Sequence, residues 1–258
     1  MRVVLFCGGL GMRLREHSDL IPKPMVNIGY RPILWHVMKY YAHYGHTEFI
    51  LCLGWKANVI KDYFLNYQET YSNDFVLDGR KNDIRLLGSD IEDWKITFCD
   101  TGVNASIGQR LLAVREHLDG EDTFLANYTD GLTDANLDDV IDFHQSRKSE
   151  ATFLSVPPSQ SFHVVEQTPN GQVHCIETVG DAGVMCNGGF FVLNHQVFDH
   201  LAGQDLIDGA LVDLAKQGKC YSYEHRGFWA CMDTFKEMHL LQDMYNNGST
   251  PWTVWDAA

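Results

Sequence analysis

Arg2-Val-Val-Leu-Phe-Cys-Gly-Gly-Leu-Gly-Met-Arg-Leu14 opens the chain, and Ile21-Pro-Lys-Pro-Met25 follows shortly after. Val3 to Cys7 is an unbroken run of β-prone apolar residues that stops at glycine, the pattern of a short strand buried on both faces. Gly8, Gly9 and Gly11 then fall within four positions. Bare backbone of that kind lets amide N–H groups turn sharply and approach a ligand that any side chain would hold off. Arg13 adds a planar, permanently charged fork suited to phosphate oxygens. The spacing matches neither Gly-x-Gly-x-x-Gly nor Gly-x4-Gly-Lys-Ser/Thr, so on these residues alone the loop is equally a tight turn. Lys23 lies between Pro22 and Pro24, whose fixed φ angles restrict the backbone that carries its ammonium. Without the glycine loop it would read as a surface lysine.

Charge follows the glycines. The 258 residues carry a net charge of −14, yet residues 1–60 hold seven Lys/Arg against three acids. An acidic chain of this kind lacks the basic face that a nucleic-acid backbone requires. Hydrophobic content of 45% and no low-complexity stretch place it among folded globular proteins. No apolar run reaches the length of a membrane span, and no charged leader precedes the first strand, so the expected location is the cytoplasm. Seven cysteines are scattered through apolar contexts without a Cys-x-x-Cys pair, the usage of reduced core thiols.

Outward from the first strand, apolar runs and helical patterns alternate. Pro32 to Gly45 reads as a helix with proline in its first turn and glycine past its end. Strands are predicted at Phe49–Leu53, Ile96–Cys99 and Thr123–Tyr128, and helices at Ala57–Tyr67 and Ile107–Leu118. That alternation implies right-handed crossovers and a mostly parallel sheet with helices on both faces, a three-layer α/β/α arrangement. After about residue 150 shorter strands take over, at Ala151–Val156, Val173–Thr178, Gly189–Leu193 and Tyr221–Glu224, with helices near Gln196, Asp208 and Phe235. The expectation is one domain over 1–258, with a first half (1–150) that carries the glycine loop and a smaller mixed half (151–258) that walls the other side of its ligand.

Ligands of such sheets gather beyond the carboxyl ends of the strands. The glycine loop follows one strand and Asn127-Tyr-Thr-Asp-Gly131 ends another. Asp130 there either closes an Asx turn or ligates a hard cation such as Mg²⁺. Asp233, after the apolar Phe228-Trp-Ala-Cys-Met232, is a second carboxylate that would be costly to bury unpaired. Twelve histidines show no metal-ligand spacing; His36, His43 and His46 read as helix-face and turn residues. Asp134, Asp138, Asp139 and Asp142 read as solvated helix acids.

Taken together, Phe6-Cys-Gly-Gly-Leu-Gly-Met-Arg-Leu14, Pro22-Lys-Pro-Met25, Arg31-Pro-Ile-Leu-Trp-His36, Asp130-Gly131, Asn187-Gly-Gly-Phe-Phe-Val192, Gly227-Phe-Trp-Ala-Cys-Met-Asp-Thr234 and Pro251-Trp-Thr-Val-Trp255 closely resemble the sugar-phosphate nucleotidylyltransferases, in particular the glucose-1-phosphate cytidylyltransferases. The resemblance runs almost end to end. It implies a Rossmann-like fold and the reaction of CTP with a small phosphorylated acceptor, aided by Mg²⁺, to give a CDP- or CMP-linked product and pyrophosphate. By the same resemblance Leu5, Cys7, Gly8, Gly9, Gly11, Gly108 and Asp130 border the nucleotide, while Arg13 and Lys23 act catalytically on its phosphates. Asp130 and Asp233 hold the metal, and Phe162, His163, Glu177, Asn187, Gly188 and Trp229 face the acceptor. Relatives assemble into homo-oligomers, with Asp74 to about Trp94 as the expected contact.

The chain also departs from the family pattern. Met12 stands for a usual Thr, and Gly108-Gln109 for a usual glycine pair. Phe162-His163 replaces Phe-Gly, and Glu177-Thr178-Val179 replaces Glu-Lys-Pro, removing the lysine expected to meet the acceptor's phosphate. The last two changes lie on the acceptor side, which suggests that the reaction is kept and the acceptor altered. Three other readings stay open: UTP or dTTP in place of CTP, a regulatory module that binds nucleotide without turnover, and, on the weakest ground, an oxidoreductase.

Overall fold

The structure is a computed structural model that describes residues 1–9, 21–159, 162–203 and 205–256. Fourteen strands and six helices position the site. The first half contributes β1 (Val3–Phe6), α1 (Ile33–His43), β2 (Glu48–Leu53), α2 (Ala57–Leu65), β3 (Phe75–Asp78), β4 (Asp83–Leu86), β5 (Lys95–Asp100), α3 (Ile107–Ala113), β6 (Thr123–Tyr128), β7 (Gly131–Thr133) and α4 (Leu137–Arg147). The second half adds β8 (Ala151–Val156), β9 (His163–Gln167), β10 (Val173–Thr178), β11 (Cys186–Asn187), β12 (Phe191–Asn194), α5 (Val212–Lys216), β13 (Cys220–Glu224), β14 (Trp229–Cys231) and α6 (Phe235–Asn246).

Among the described residues the main sheet has eight strands in the order β11-β8-β12-β6-β1-β2-β5, with β13 on β8. β1 runs parallel to both β2 and β6, and β2 to β5. On the other flank β12 is antiparallel to β6 and to β8. The sheet is mostly parallel where helical crossovers link its strands, and turns mixed where the second half joins it. Pleating sends alternate residues of β1 to opposite faces. Val3 and Leu5 enter one core cluster, and Val4 and Phe6 the other. Full burial of each such side chain stabilises the sheet by roughly 1.5–3 kcal/mol.

Local chemistry fixes the helix ends. Pro32, extended at φ −67°, precedes α1, and Gly45 at φ +80° lets the chain reverse after it. Ser106 with Gln109 and Thr234 with Glu237 form reciprocal caps on α3 and α6. The helix predicted over Ile107–Leu118 breaks at Val114, whose N–H closes a tight turn, and Arg115–Leu118 continues as a 3-10 turn. The strand predicted to start at Gly189 starts at Phe191 instead. Gly189 and Phe190 both have positive φ, +77° and +52°, which no strand residue adopts.

Candidate active site

Two sheet strands and a small ribbon converge on one cleft of about 660 Å³, bounded by Phe6, Cys7, Gly9, Lys23, Tyr128 and Asp130 among others. β1 and β6 are neighbours, with Phe6 beside Tyr128, so the glycine loop and the Asp130 turn leave the same end of the sheet. β14 pairs antiparallel with β7, placing Cys231 opposite Gly131. The N–H of Met232 then donates to the carbonyl of Asp130 across 2.8 Å. This ribbon brings Asp233 to Asp130. Asp233 is steadied from behind, because its N–H and that of Thr234 both donate to Glu237 at the start of α6, each at 2.8 Å.

Lys23 reaches into the gap between the two aspartates. Its Nζ donates to Asp130 Oδ2 at 2.6 Å and to Asp233 Oδ1 at 2.5 Å. Burial alone would lower the pKa of the ammonium, but the charge of Asp130 and the hydrogen bonds to both carboxylates outweigh it and hold the pKa above its ordinary value. The pair therefore already grips a cation. Asp130, Cys231 and Asp233 also carry potential ligand atoms within 4.8 Å of one another. Two carboxylate oxygens that close on an ammonium fit a hard, oxygen-seeking divalent ion such as Mg²⁺. The Cys231 thiol is a softer neighbour, held protonated by burial and then by Asp130.

A second cation lies beneath the glycine loop. The Arg110 guanidinium is buried, yet its described hydrogen bonds go to neutral oxygens: Leu53 O at 3.3 Å, Thr101 Oγ1 at 2.7 Å, Gly8 O at 2.9 Å and Val103 O at 3.2 Å. A Cβ on Gly8 would lie 1.9 Å from Arg110 Nη1, which is why glycine is needed there. Arg110 is not among the site residues expected from sequence. Its signal, an arginine two residues after Gly108 on a predicted helix, does not distinguish a buried clamp from a solvated side chain.

The other predicted site residues divide. Cys7 and Gly9 border the cleft; Cys7 is pushed up to about 12 by burial and stays a neutral thiol. Gly108 is buried on α3, and its N–H donates to Asp205 Oδ1 at 2.6 Å. Leu5 does not border the cleft; its side chain is fully buried in the core, because β1 lies inside the sheet with both of its faces covered. Gly11 and Arg13 lie outside the described residues. Among the acceptor candidates, Trp229 Nε1 donates to Gly188 O at 2.9 Å, tying that segment to the strand that leads to Asp233. Asn187 Oδ1 accepts from Gly189 N at 2.9 Å. Phe162 is exposed, and His163 and Glu177 stand on the β9–β10 hairpin, where His163 pairs with Thr178 and Val164 with Glu177. Thr178 Oγ1 donates to Asp181 at 2.6 Å. Asp134 is not the solvated helix acid expected from sequence: it precedes α4 and lies 2.8 Å from His225 Nε2.

Comparison with known proteins bears on this geometry. The family described as "Nucleotidyl transferase" matches residues 2–230. A "Probable glucose-1-phosphate cytidylyltransferase" of Bacillus subtilis (strain 168) is 40% identical over 99% of this chain and 100% of its own length. The glucose-1-phosphate cytidylyltransferase of Salmonella typhi is 38% identical over the same shares. A solved structure of UDP-glucose pyrophosphorylase complexed with UDP-glucose superposes with a TM-score of 0.69 at 16% identity, covering 96% of this chain and 98% of that one, a likeness of fold. With a glycine loop, a lysine and two aspartates meeting at one cleft, and with matches over nearly its whole length, the chain belongs to the nucleotidyl transferase family, among the sugar-phosphate nucleotidylyltransferases.

Proposed function

We propose that this enzyme transfers the cytidylyl group of CTP to a small phosphorylated acceptor and releases pyrophosphate. One observation carries the reading: Lys23, Asp130 and Asp233 meet within 2.6 Å at the cleft that the glycine loop overhangs. An oxygen of the acceptor's phosphate attacks the α-phosphorus, the bond from that phosphorus to the bridging oxygen breaks, and pyrophosphate leaves with the electron pair. The protein's task in such a transfer is alignment and cancellation of charge.

Gly8 and Gly9 lend backbone to the triphosphate, with Cys7 and Gly108 beside them and Leu5 anchoring the loop from the core. Gly11 and Arg13 belong to the same motif. Lys23 neutralises phosphate charge, and Arg110, a buried cation whose described partners are all neutral, adds a positive field from below. Asp130 and Asp233 would hold Mg²⁺, which supplies charge cancellation on the departing pyrophosphate.

Phe162, His163, Glu177, Asn187, Gly188 and Trp229 form the acceptor wall. Relatives named as glucose-1-phosphate cytidylyltransferases favour a sugar 1-phosphate. Thr178 carries no positive charge and is engaged with Asp181, which favours an acceptor whose anion is met elsewhere, by His163. That second reading admits another sugar phosphate or a phosphonate.

The common sheet supports one domain whose nucleotide half (1–150) and acceptor half (151–258) share a core. Among the described residues no helix is long and apolar enough to cross a membrane, and the setting we propose is the cytoplasm. A homo-oligomer is proposed as well. The β3–β4 ribbon stands outside the main sheet with Phe75, Val76, Leu77, Ile84 and Leu86 exposed, and such a ribbon needs support that a second copy of the chain would give. Sedimentation of the wild type against a Leu77→Lys, Ile84→Lys variant tests this; an unchanged mass contradicts it.

Pyrophosphate release from CTP, UTP and dTTP, each with glucose 1-phosphate, other sugar 1-phosphates and simple phosphonates, tests the function. Mg²⁺-dependent release with CTP and one acceptor class is the expected result. Equal release with UTP or dTTP would remove the cytidylyl assignment. Nucleotide binding without release from any pair would leave a regulatory module.

A further inference from the structure

Lys23 stands in the position that a divalent ion would need. Its Nζ is 2.6 Å from Asp130 Oδ2 and 2.5 Å from Asp233 Oδ1, the separations of charge-assisted bonds, and its side chain is mostly buried. Oxygen-ligated Mg²⁺ sits about 2.0–2.1 Å from its ligands. An ammonium and a divalent ion sharing these two oxygens would therefore be in contact with like charge, in a partly buried site.

We propose that Lys23 is the resident counter-ion of the Asp130–Asp233 pair and leaves it only when a divalent ion arrives, turning its ammonium toward the phosphates in the adjoining cleft. This rests on the reading of Asp130 and Asp233 as the metal holders. It makes Lys23 the group that couples metal to nucleotide, since its ammonium serves the carboxylates and the phosphates in turn. Without polyphosphate, the displaced ammonium gives up both carboxylates, and the other acid described along the cleft, Asp205, is already engaged by the N–H groups of Gly108 and Leu206, so metal binding to the free protein is weak. With polyphosphate bound, the ammonium gains a new partner and the carboxylates are released to the metal. Linkage makes the coupling reciprocal: metal must strengthen nucleotide binding by the same factor.

Mn²⁺, followed by the loss of its free electron paramagnetic resonance signal, tests this without turnover. In the absence of nucleotide, Lys23→Met is expected to bind Mn²⁺ roughly tenfold more tightly than the wild type, whereas Lys23→Arg, which keeps the cation, stays near wild type. Equal or weaker binding by Lys23→Met overturns the inference. Adding Asp130→Asn to Lys23→Met should abolish the tight site; if tight binding persists, the metal reading of the aspartates itself fails. A second readout uses the wild type, so that it does not depend on how the variants fold. Reductive methylation of Lys23, followed by mass spectrometry, is expected to quicken as Mg²⁺ is raised, because the ammonium leaves its two carboxylates. A rate indifferent to Mg²⁺ at concentrations that displace bound Mn²⁺ from the site contradicts the exchange.

Discussion

Arg110 Nη2 donates to the carbonyl oxygen of Gly8 at 2.9 Å, so a buried guanidinium on α3 holds the first turn of the glycine loop from below. The same contact explains why position 8 tolerates no side chain, since a Cβ there would overlap Arg110 Nη1 at 1.9 Å. The loop's backbone and the cation beneath it form one unit.

Gly8→Ala and Arg110→Met are accordingly expected to injure the same thing. Gly8→Ala must push out a guanidinium held by four oxygens, at a cost of about 1–3 kcal/mol. Arg110→Met leaves the carbonyls of Gly8 and Val103 short of a donor. In a double-mutant cycle read by urea denaturation, the combined loss should fall below the sum of the single losses by about 1 kcal/mol or more. Strict additivity would show that the two residues are not coupled.

Gly189 sets the backbone turn behind the proposed acceptor wall. At φ +77°, with a would-be Cβ 2.9 Å from Asn127 Oδ1, it cannot accept alanine without strain. Gly189→Ala is expected to lose about 1–3 kcal/mol of stability. It should also raise KM for the acceptor more than KM for the nucleotide, because Asn187 and Gly188 precede it directly. Steady-state kinetics with each substrate varied in turn would check this; a selective rise in the nucleotide KM would contradict it.

Acid should weaken the fold through His36. Burial lowers its pKa from 6.5 to about 4, the charge of Arg31 adding to the effect while the carbonyl of Ile28 opposes it. The folded protein thus resists a proton that the unfolded chain accepts. The stability from this group is complete above pH 6.5 and is lost as pH falls toward 4, at up to about 1.4 kcal/mol per pH unit. Denaturation at pH 7, 6 and 5 should give a steeper decline for the wild type than for His36→Gln. Identical slopes would remove His36 as the cause.

The parallel part of the sheet was legible because its signals are local. Val3–Phe6 and Phe49–Leu53 are continuous apolar runs, Thr123–Tyr128 has Phe-Leu-Ala at its centre, and Pro32 and Gly45 bracket α1 as their backbone limits require. Lys23, Asp130 and Asp233 were legible as residue types and motifs. Their meeting was expected only from the family resemblance and from no local pattern, because it depends on the pairing of Cys231 with Gly131, a contact between segments far apart in the chain. Arg110 escaped for a similar reason: its importance comes from burial beneath a loop that no helical pattern reveals. Phe190, at φ +52°, shows the opposite limit, since an aromatic residue in an apolar run reads as strand until the backbone turn beside Gly189 is seen.

Most directly, the claim that Lys23 and the two aspartates carry nucleotidyl transfer is tested by kcat/KM for pyrophosphate release, measured with CTP, Mg²⁺ and the preferred acceptor in folded Lys23→Ala, Asp130→Asn and Asp233→Asn. Each is expected to fall by about 10²–10³, the usual effect of losing one group that stabilises transition-state charge, with no comparable loss of thermal stability. Near-wild-type turnover in any of the three would contradict the role assigned to that residue, and near-wild-type turnover in all three would place the chemistry elsewhere.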